Sequence, residues 1–189
     1  MRLDQNERTT PLDANVFSEV VGNMGLEELA AYPELGDLYN CLAGHHGLDL
    51  ENILLFNGSD SGIKSLFEVF VEPQDEVISL TPSYGMFFLY PKMFGAKLIQ
   101  VGYEQDFSLP ASKVIGKITD RTKLLLIANP NHTGTAISQA ELLMIIEAAA
   151  EHKALVLIDE AYFEFHGETA IPLIEDHDNL VISRTMSKA

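Results

Sequence analysis

Basic side chains are scarce: 12 Lys and Arg face 28 Asp and Glu, a formal net charge of -16. A surface of that sign repels phosphate backbones, which argues against a nucleic-acid partner. Cysteine is nearly absent too. The single Cys41 excludes an internal disulfide framework and fits a reducing compartment. No apolar run approaches the ~20 residues a membrane-spanning helix needs, and the first residues, Met1 to Arg8, carry no apolar leader core. A cytoplasmic location is the expectation. Repeats and low-complexity tracts are missing. The six histidines form neither an H-x-x-x-H nor an H-E-x-x-H pair, so no metal site is expected. G-x-G-x-x-G, G-x-x-x-x-G-K-[ST] and G-x-S-x-G are all lacking, which weakens nucleotide-binding and serine-hydrolase readings.

What is present is a chain of 189 residues, 47% hydrophobic, enough for one sizeable core. Residues 1–25 are polar, broken by Pro11, Gly22 and Gly25, and read as an extended arm with a short helix. A helix-rich segment follows from Leu26 to Gly44, around Tyr32-Pro33. Beyond it, strand and helix signals alternate. Strands are predicted at Ile53–Phe56, Glu76–Leu80, Lys97–Val101, Lys123–Ala128, Ala154–Ile158 and Leu180–Ser183, several as continuous apolar runs suited to burial on both faces. Between them, Ile63, Leu66, Phe67 and Phe70 recur at helical spacing before Pro73. Ser138 and Glu141 form a capping box ahead of Leu142, Ile145, Ile146 and Ala149. A third helix is predicted from Tyr84 to Phe94, with Pro91 kinking or ending it. The alternation predicts an α/β fold, a three-layer α/β/α sandwich around a mostly parallel, mixed sheet, with ligands at the carboxyl ends of the strands.

Several clusters fall at those ends. Asn57-Gly58-Ser59-Asp60-Ser61-Gly62 opens an amphipathic helix, where amide N–H groups can take a phosphate, although an ordinary capped turn reads the same way. The Asp60 carboxylate would have to turn from such an anion. Tyr84, in Thr81-Pro82-Ser83-Tyr84, could stack on a flat ring or serve as a core aromatic. Asn129-Pro130-Asn131-His132-Thr133-Gly134-Thr135 makes a turn in any case, with an amide able to donate to a ring oxygen. Asp159 ends the most apolar strand, where a carboxylate needs a partner; a protonated pyridine nitrogen is one, and a helix cap or salt bridge is the alternative. Tyr162 lies three residues on, and Lys188 follows two hydroxyls, Thr185 and Ser187. An acid, a phenol and an amine so placed are what a pyridoxal 5'-phosphate site needs: the acid for the ring nitrogen, the phenol for the ring hydroxyl, the amine for the aldehyde.

In order and spacing these segments resemble the aspartate-aminotransferase superfamily of fold type I, closest to the histidinol-phosphate aminotransferase-like branch. The resemblance runs from Leu3-Asp4-Gln5-Asn6-Glu7 through Tyr32-Pro33, Asn57-Gly58-Ser59-Asp60, Pro82-Ser83-Tyr84, Asn129-Pro130-Asn131 with Thr133-Gly134-Thr135, and Asp159-Glu160-Ala161-Tyr162 to Arg184-Thr185-Met186-Ser187-Lys188-Ala189. It implies that Lys188 bonds to the cofactor and shuttles the proton at the substrate α-carbon, and that Asp159 holds the pyridine nitrogen. Tyr162 and Asn131 would bond the ring oxygen, and Tyr84 would stack on the ring. Gly58, Ser59, Asp60, Thr185 and Ser187 would form the phosphate cup. Tyr32 would reach the phosphate of a neighbouring subunit, in a homodimer with shared sites. Substrates would be an amino donor, possibly phosphorylated, and a 2-oxo acid acceptor. Residues 1–25 would be an arm or part of a small domain, and 26–189 the first portion of the large cofactor-binding domain.

The sequence departs from the family pattern in three places. His132 stands where relatives carry proline, in a loop one residue shorter. Asn6-Glu7-Arg8-Thr9 replaces Asn-Glu-Asn-Pro. The chain stops one residue after the lysine, before the family's phosphate- and carboxylate-binding arginines and small domain, so it is expected to be part of a longer enzyme. A decarboxylase of a phosphorylated amino acid, and a non-catalytic truncated form, stay open alongside the aminotransferase.

Overall fold

The computed structural model describes residues 6, 10–109 and 111–188, with the backbone alone for Glu28 and Leu29. Of the amino-terminal motif only Asn6 is among them, and Ala189 also lies outside the described residues. The chain divides into two compact units, Met1–Leu55 and Phe56–Ala189.

The first unit is helical: α1 (Ala14–Gly22), α2 (Leu26–Ala30) and α3 (Gly36–His46), then a 3-10 turn at Leu50–Asn52. Asp13 caps α1, its carboxylate accepting from the amides of Asn15 at 2.8 Å and Val16 at 3.4 Å. Gly47, at φ 67°, ends α3 in the left-handed conformation that glycine adopts without a Cβ penalty. The strand predicted at Ile53–Phe56 does not form. Leu54 is 76% exposed, and the Leu55 amide donates to the Tyr39 hydroxyl at 3.2 Å rather than to a neighbouring strand. Among the described residues no strand pairs with this apolar run.

The second unit runs α4 (Ser59–Phe70), β1 (Glu76–Thr81), α5 (Met86–Met93), β2 (Lys97–Gly102), α6 (Ala111–Ile115), β3 (Thr122–Ala128), α7 (Gln139–Glu151), β4 (Leu155–Asp159), α8 (Phe163–His166), a 3-10 segment at Ile171–Asp176, and β5 (Leu180–Ser183). The five strands form one sheet in the order β2-β1-β3-β4-β5, every pairing parallel. Strand alternation sends Val77, Leu124, Leu126 and Leu157 to one face, against Ile63 and Phe67 of α4 and Phe87 and Tyr90 of α5. Ile78, Leu80, Leu125, Ile127, Val156 and Ile158 face the other way, against Val114 of α6 and Leu142, Ile145, Ile146 and Ala149 of α7. This is the three-layer α/β/α arrangement predicted from the sequence. Both faces of the central strands are covered, which is why they read as unbroken apolar runs.

The capping box forms: the Ser138 hydroxyl accepts from the Glu141 amide at 3.3 Å and donates to its carboxylate at 2.9 Å. α5 starts two residues later than predicted and continues two residues past Pro91 before Gly95, at φ 70°, turns the chain. From β1 the chain goes to β2 at the edge of the sheet and then crosses back to β3 on the other side of β1. The loops leaving β1 and β3 therefore part at a switch point, where open α/β sheets form a crevice.

Candidate active site

Four of the predicted clusters leave the carboxyl ends of adjacent strands: Thr81–Tyr84 after β1, Asn129–Thr135 after β3, Asp159–Tyr162 at β4, and Ser183–Lys188 after β5. The fifth, Gly58–Asp60, starts α4, with Gly58 at φ 82° in the capping position. Its capping residue, Gly58, has no side chain to offer, and the first amides of a helix, which lack intrahelical acceptors, are natural donors for an anion.

Asp159 is 5% exposed. It accepts from the Ser183 hydroxyl at 2.6 Å, across the β4–β5 pair. Among the described residues no lysine or arginine forms an ion pair with it. Burial drives its carboxyl above the ordinary range; the Ser183 and Ala161 hydrogen bonds oppose that rise, and the nearby charges of Asp60 and Glu160 add to it. The next residue is treated differently. Glu160, 1% exposed, takes Arg184 through Nε at 3.1 Å and Nη2 at 2.9 Å, Thr169 Oγ1 at 2.8 Å and the Ala170 amide at 2.7 Å. Arg184 also lies 3.4 Å over the centre of the Phe163 ring. Of two adjacent buried acids, one is paired with Arg184 and the other forms no ion pair with a lysine or arginine among the described residues.

Tyr84 donates its hydroxyl to Asp60 at 2.7 Å. The phenol is pushed well above its usual range by burial first, then by that hydrogen bond and by the charges of Asp60 and Asp159. The Asp60 side chain is thus engaged by the ring expected to cover a ligand. His132 lies between two phenols, its ring 5.9 Å from Tyr84 and 5.8 Å, edge-on, from Tyr162. Burial and, second, the charge of Lys188 hold its imidazole below the ordinary range. The chain of contacts Asp60, Tyr84, His132 and Tyr162, with the charges of Asp159 and Lys188 felt at Tyr84 and His132 respectively, places these six residues in one cluster.

The other predicted site residues are placed as follows. Asn131, 3% exposed, donates its amide to Pro82 O at 2.7 Å, Tyr103 Oη at 3.0 Å and Thr133 Oγ1 at 3.3 Å. A carbonyl acceptor fixes which end of the amide is nitrogen, so the Oδ1 end is the one buried without a partner among the described residues, as is Ser83 Oγ, next to Tyr84 in sequence. Thr185 and Ser187 share a hydrogen bond of 2.8 Å between their hydroxyls. Tyr32 sits in the first unit, 98% exposed. Sequence reasoning gave no site role to His132, Tyr103 or the Glu160–Arg184 pair. For His132 the shortened loop was the available signal; for Tyr103 there was none.

A parallel sheet with helices on both faces and these residues at its carboxyl edge defines the class: an open, parallel-sheet α/β protein. The chain belongs to the aminotransferase class I and II family, whose model matches residues 4–189. It is 31% identical over 193 residues to a histidinol-phosphate aminotransferase of Clostridium novyi, covering 100% of this chain and 53% of that protein. It is 38% identical over 162 residues to one from Methanocella arvoryzae, covering 84% and 44%. The fold matches the histidinol-phosphate aminotransferase of Clostridium acetobutylicum, with a TM-score of 0.81, 24% identity and coverage of 95% and 54%. It also matches that of Sinorhizobium meliloti in complex with pyridoxal-5'-phosphate, with a TM-score of 0.81, 24% identity and coverage of 97% and 51%. The chain spans about half the length of the curated relatives it matches. Among the described residues no helix is long and apolar enough to cross a membrane.

Proposed function

We propose that this chain is the cofactor-binding part of a pyridoxal phosphate-dependent aminotransferase of the histidinol-phosphate type, moving an amino group between an amino acid or amine and a 2-oxo acid. The observation that carries this reading is Asp159: a 5%-exposed carboxylate, without a lysine or arginine partner among the described residues, in the same cluster as Lys188. A buried acid of that kind suits a cationic heterocycle, because the pair offsets a desolvation that neither charge withstands alone. Pyridoxal phosphate supplies, when bound, an electron-withdrawing ring that stabilises negative charge on a substrate carbon.

The chain's residues do the rest. Asp159 keeps the ring nitrogen protonated. Lys188 would supply the amine that holds the aldehyde carbon and, once displaced there by the donor's own amine, the base for the proton at the substrate α-carbon. Tyr84 covers one ring face, fixed by its bond to Asp60, and Tyr162 orients the ring oxygen. The first amides of α4, at Ser59 and Asp60, take the phosphate with Thr185 and Ser187, after those two hydroxyls exchange their mutual bond for the anion. Because the Asp60 carboxylate is held by Tyr84, its amide can face an anion while its charge points to the phenol. The sheet unit then corresponds to the first portion of a large cofactor-binding domain, in a cytoplasmic homodimer serving amino-acid biosynthesis, with Tyr32 contributed to a second copy's phosphate.

Adding pyridoxal phosphate should give a visible absorption band and, after borohydride, a cofactor adduct on Lys188 by peptide mass; Lys188→Ala should lose both. A Lys188→Ala protein that keeps the same adduct overturns the assignment. With the whole protein and an amino donor, a keto product without carbon dioxide is expected, and release of carbon dioxide would favour a decarboxylase instead.

A further inference from the structure

Sheet register brings Ser183 to the buried acid of the site. β4 and β5 run parallel, with Asp159 paired to Ser183 at their carboxyl ends. Paired residues of neighbouring strands stand about 5 Å apart and present their side chains to the same face. The Asn129 amide donates to Asp159 O and the Glu160 amide to Ser183 O, both at 2.9 Å, so the ladder holds the backbone on each side of the pair. The Ser183 hydroxyl then reaches Asp159 Oδ1 at 2.6 Å. That length lies in the range of a hydroxyl bound to an ionised carboxylate, ~2.5–2.7 Å. The bond is set by two strands rather than by a loop. It uses one of the roughly four acceptor sites of a carboxylate, which leaves capacity for a ring N–H.

We infer that Ser183 is a positioning residue for the cofactor-binding acid: it holds the Asp159 carboxylate in one plane and in its ionised form, so that the proton between acid and bound ring stays on the ring nitrogen. This rests on the pyridoxal phosphate reading above. A donor to a carboxylate stabilises its charged form, and at Asp159 the Ser183 bond is the first of the influences that oppose burial. The acidic neighbours, Asp60 at the start of α4 and Glu160 next in the chain, push the other way. Tyr84, ahead of α5, feels the Asp159 charge. Without the hydroxyl, the carboxylate would be a stronger base with two other acids nearby, and the proton would settle on its oxygen. A neutral ring withdraws electrons less strongly than a cationic one. Ser183 needs no contact with the cofactor to have this effect, because it acts through Asp159.

The test uses the whole protein, pyridoxal phosphate isotope-labelled at the ring nitrogen, and the analogue carrying CH in place of that nitrogen. Ser183→Ala should move the ring-nitrogen NMR signal toward that of neutral pyridine. It should also weaken pyridoxal phosphate binding about tenfold, the value of one hydrogen bond to a charged group. The analogue offers Asp159 no nitrogen and should bind parent and Ser183→Ala alike. Ser183→Thr keeps the hydroxyl and should hold the parent's signal and affinity. Ser183→Cys, with a weaker donor, should fall between, and it carries the test if Ser183→Ala does not fold. An unmoved nitrogen signal on losing the hydroxyl, or an equal loss of affinity for cofactor and analogue, overturns the role given to Ser183, since the hydroxyl would then serve the sheet alone. A parent protein that forms no visible band and no adduct on Lys188 overturns the cofactor reading itself, so the two failures are distinct.

Discussion

At His132 two influences act in one direction: burial against the phenol rings and the Lys188 ammonium both disfavour the imidazolium. Its NMR titration midpoint, in protein without cofactor, should lie below the ordinary imidazole value of 6.5, and Lys188→Ala should move it upward. A lowered folded value means that this residue's contribution is complete above the unfolded value and is lost as pH falls through the folded one. Asp159 behaves oppositely. Its folded value is raised above 3.8, so the stability linked to it is present below the unfolded value and is lost as pH rises through the folded one. Asp159→Asn should abolish that loss: as pH rises above the unfolded value of 3.8, the urea midpoint of the variant, without cofactor, should gain on the parent. The same variant should bind pyridoxal phosphate much more weakly. Lys188 lies beyond β5, which ends at Ser183, whereas the position of Asp159 was legible in the sequence because it ends an apolar strand, where a charge needs a reason. The Tyr84–Asp60 bond was not, since it joins positions 24 residues apart, and nothing local to either residue names the other.

Among the elements, the ends of β4 and β5 and the stretch before the Ile171–Asp176 turn are joined by Glu160, Arg184 and Thr169. Removing one partner leaves a buried charge uncompensated, so Arg184→Met should cost about 3–5 kcal/mol in urea unfolding. Adding Glu160→Gln to it should return part of that loss. Ile145, fully buried on α7 against the sheet, should cost about 2–5 kcal/mol as Ile145→Ala. The five strands were readable because burial on both faces leaves a continuous apolar signature. That signature also misled at Ile53–Phe56, where the same residue types occur without a neighbouring strand to pair with. Pro91 marked the end of α5 only to within a turn, since a proline removes one hydrogen bond and a short helix tolerates the loss.

For the whole molecule, a net charge of -16 predicts self-repulsion in the folded state. Raising ionic strength from roughly 10 to 150 mM, which shortens the screening length from ~30 to ~8 Å, should raise the urea midpoint at neutral pH. Acid pairing with cations is concentrated at particular places, as at Glu76, which opens β1 and binds Lys97 at 3.0 Å and Arg121 at 2.6 Å. That cluster closes the amino edge of the sheet; the carboxyl edge carries the crevice. There, one hydrogen bond from Asn131 to Pro82 spans the gap between the loops of β1 and β3. The jaws on either side of the switch point are therefore set at a fixed width by folding itself. A guest entering between them forfeits little chain freedom in closing them, and its affinity is governed by the fit it finds on arrival.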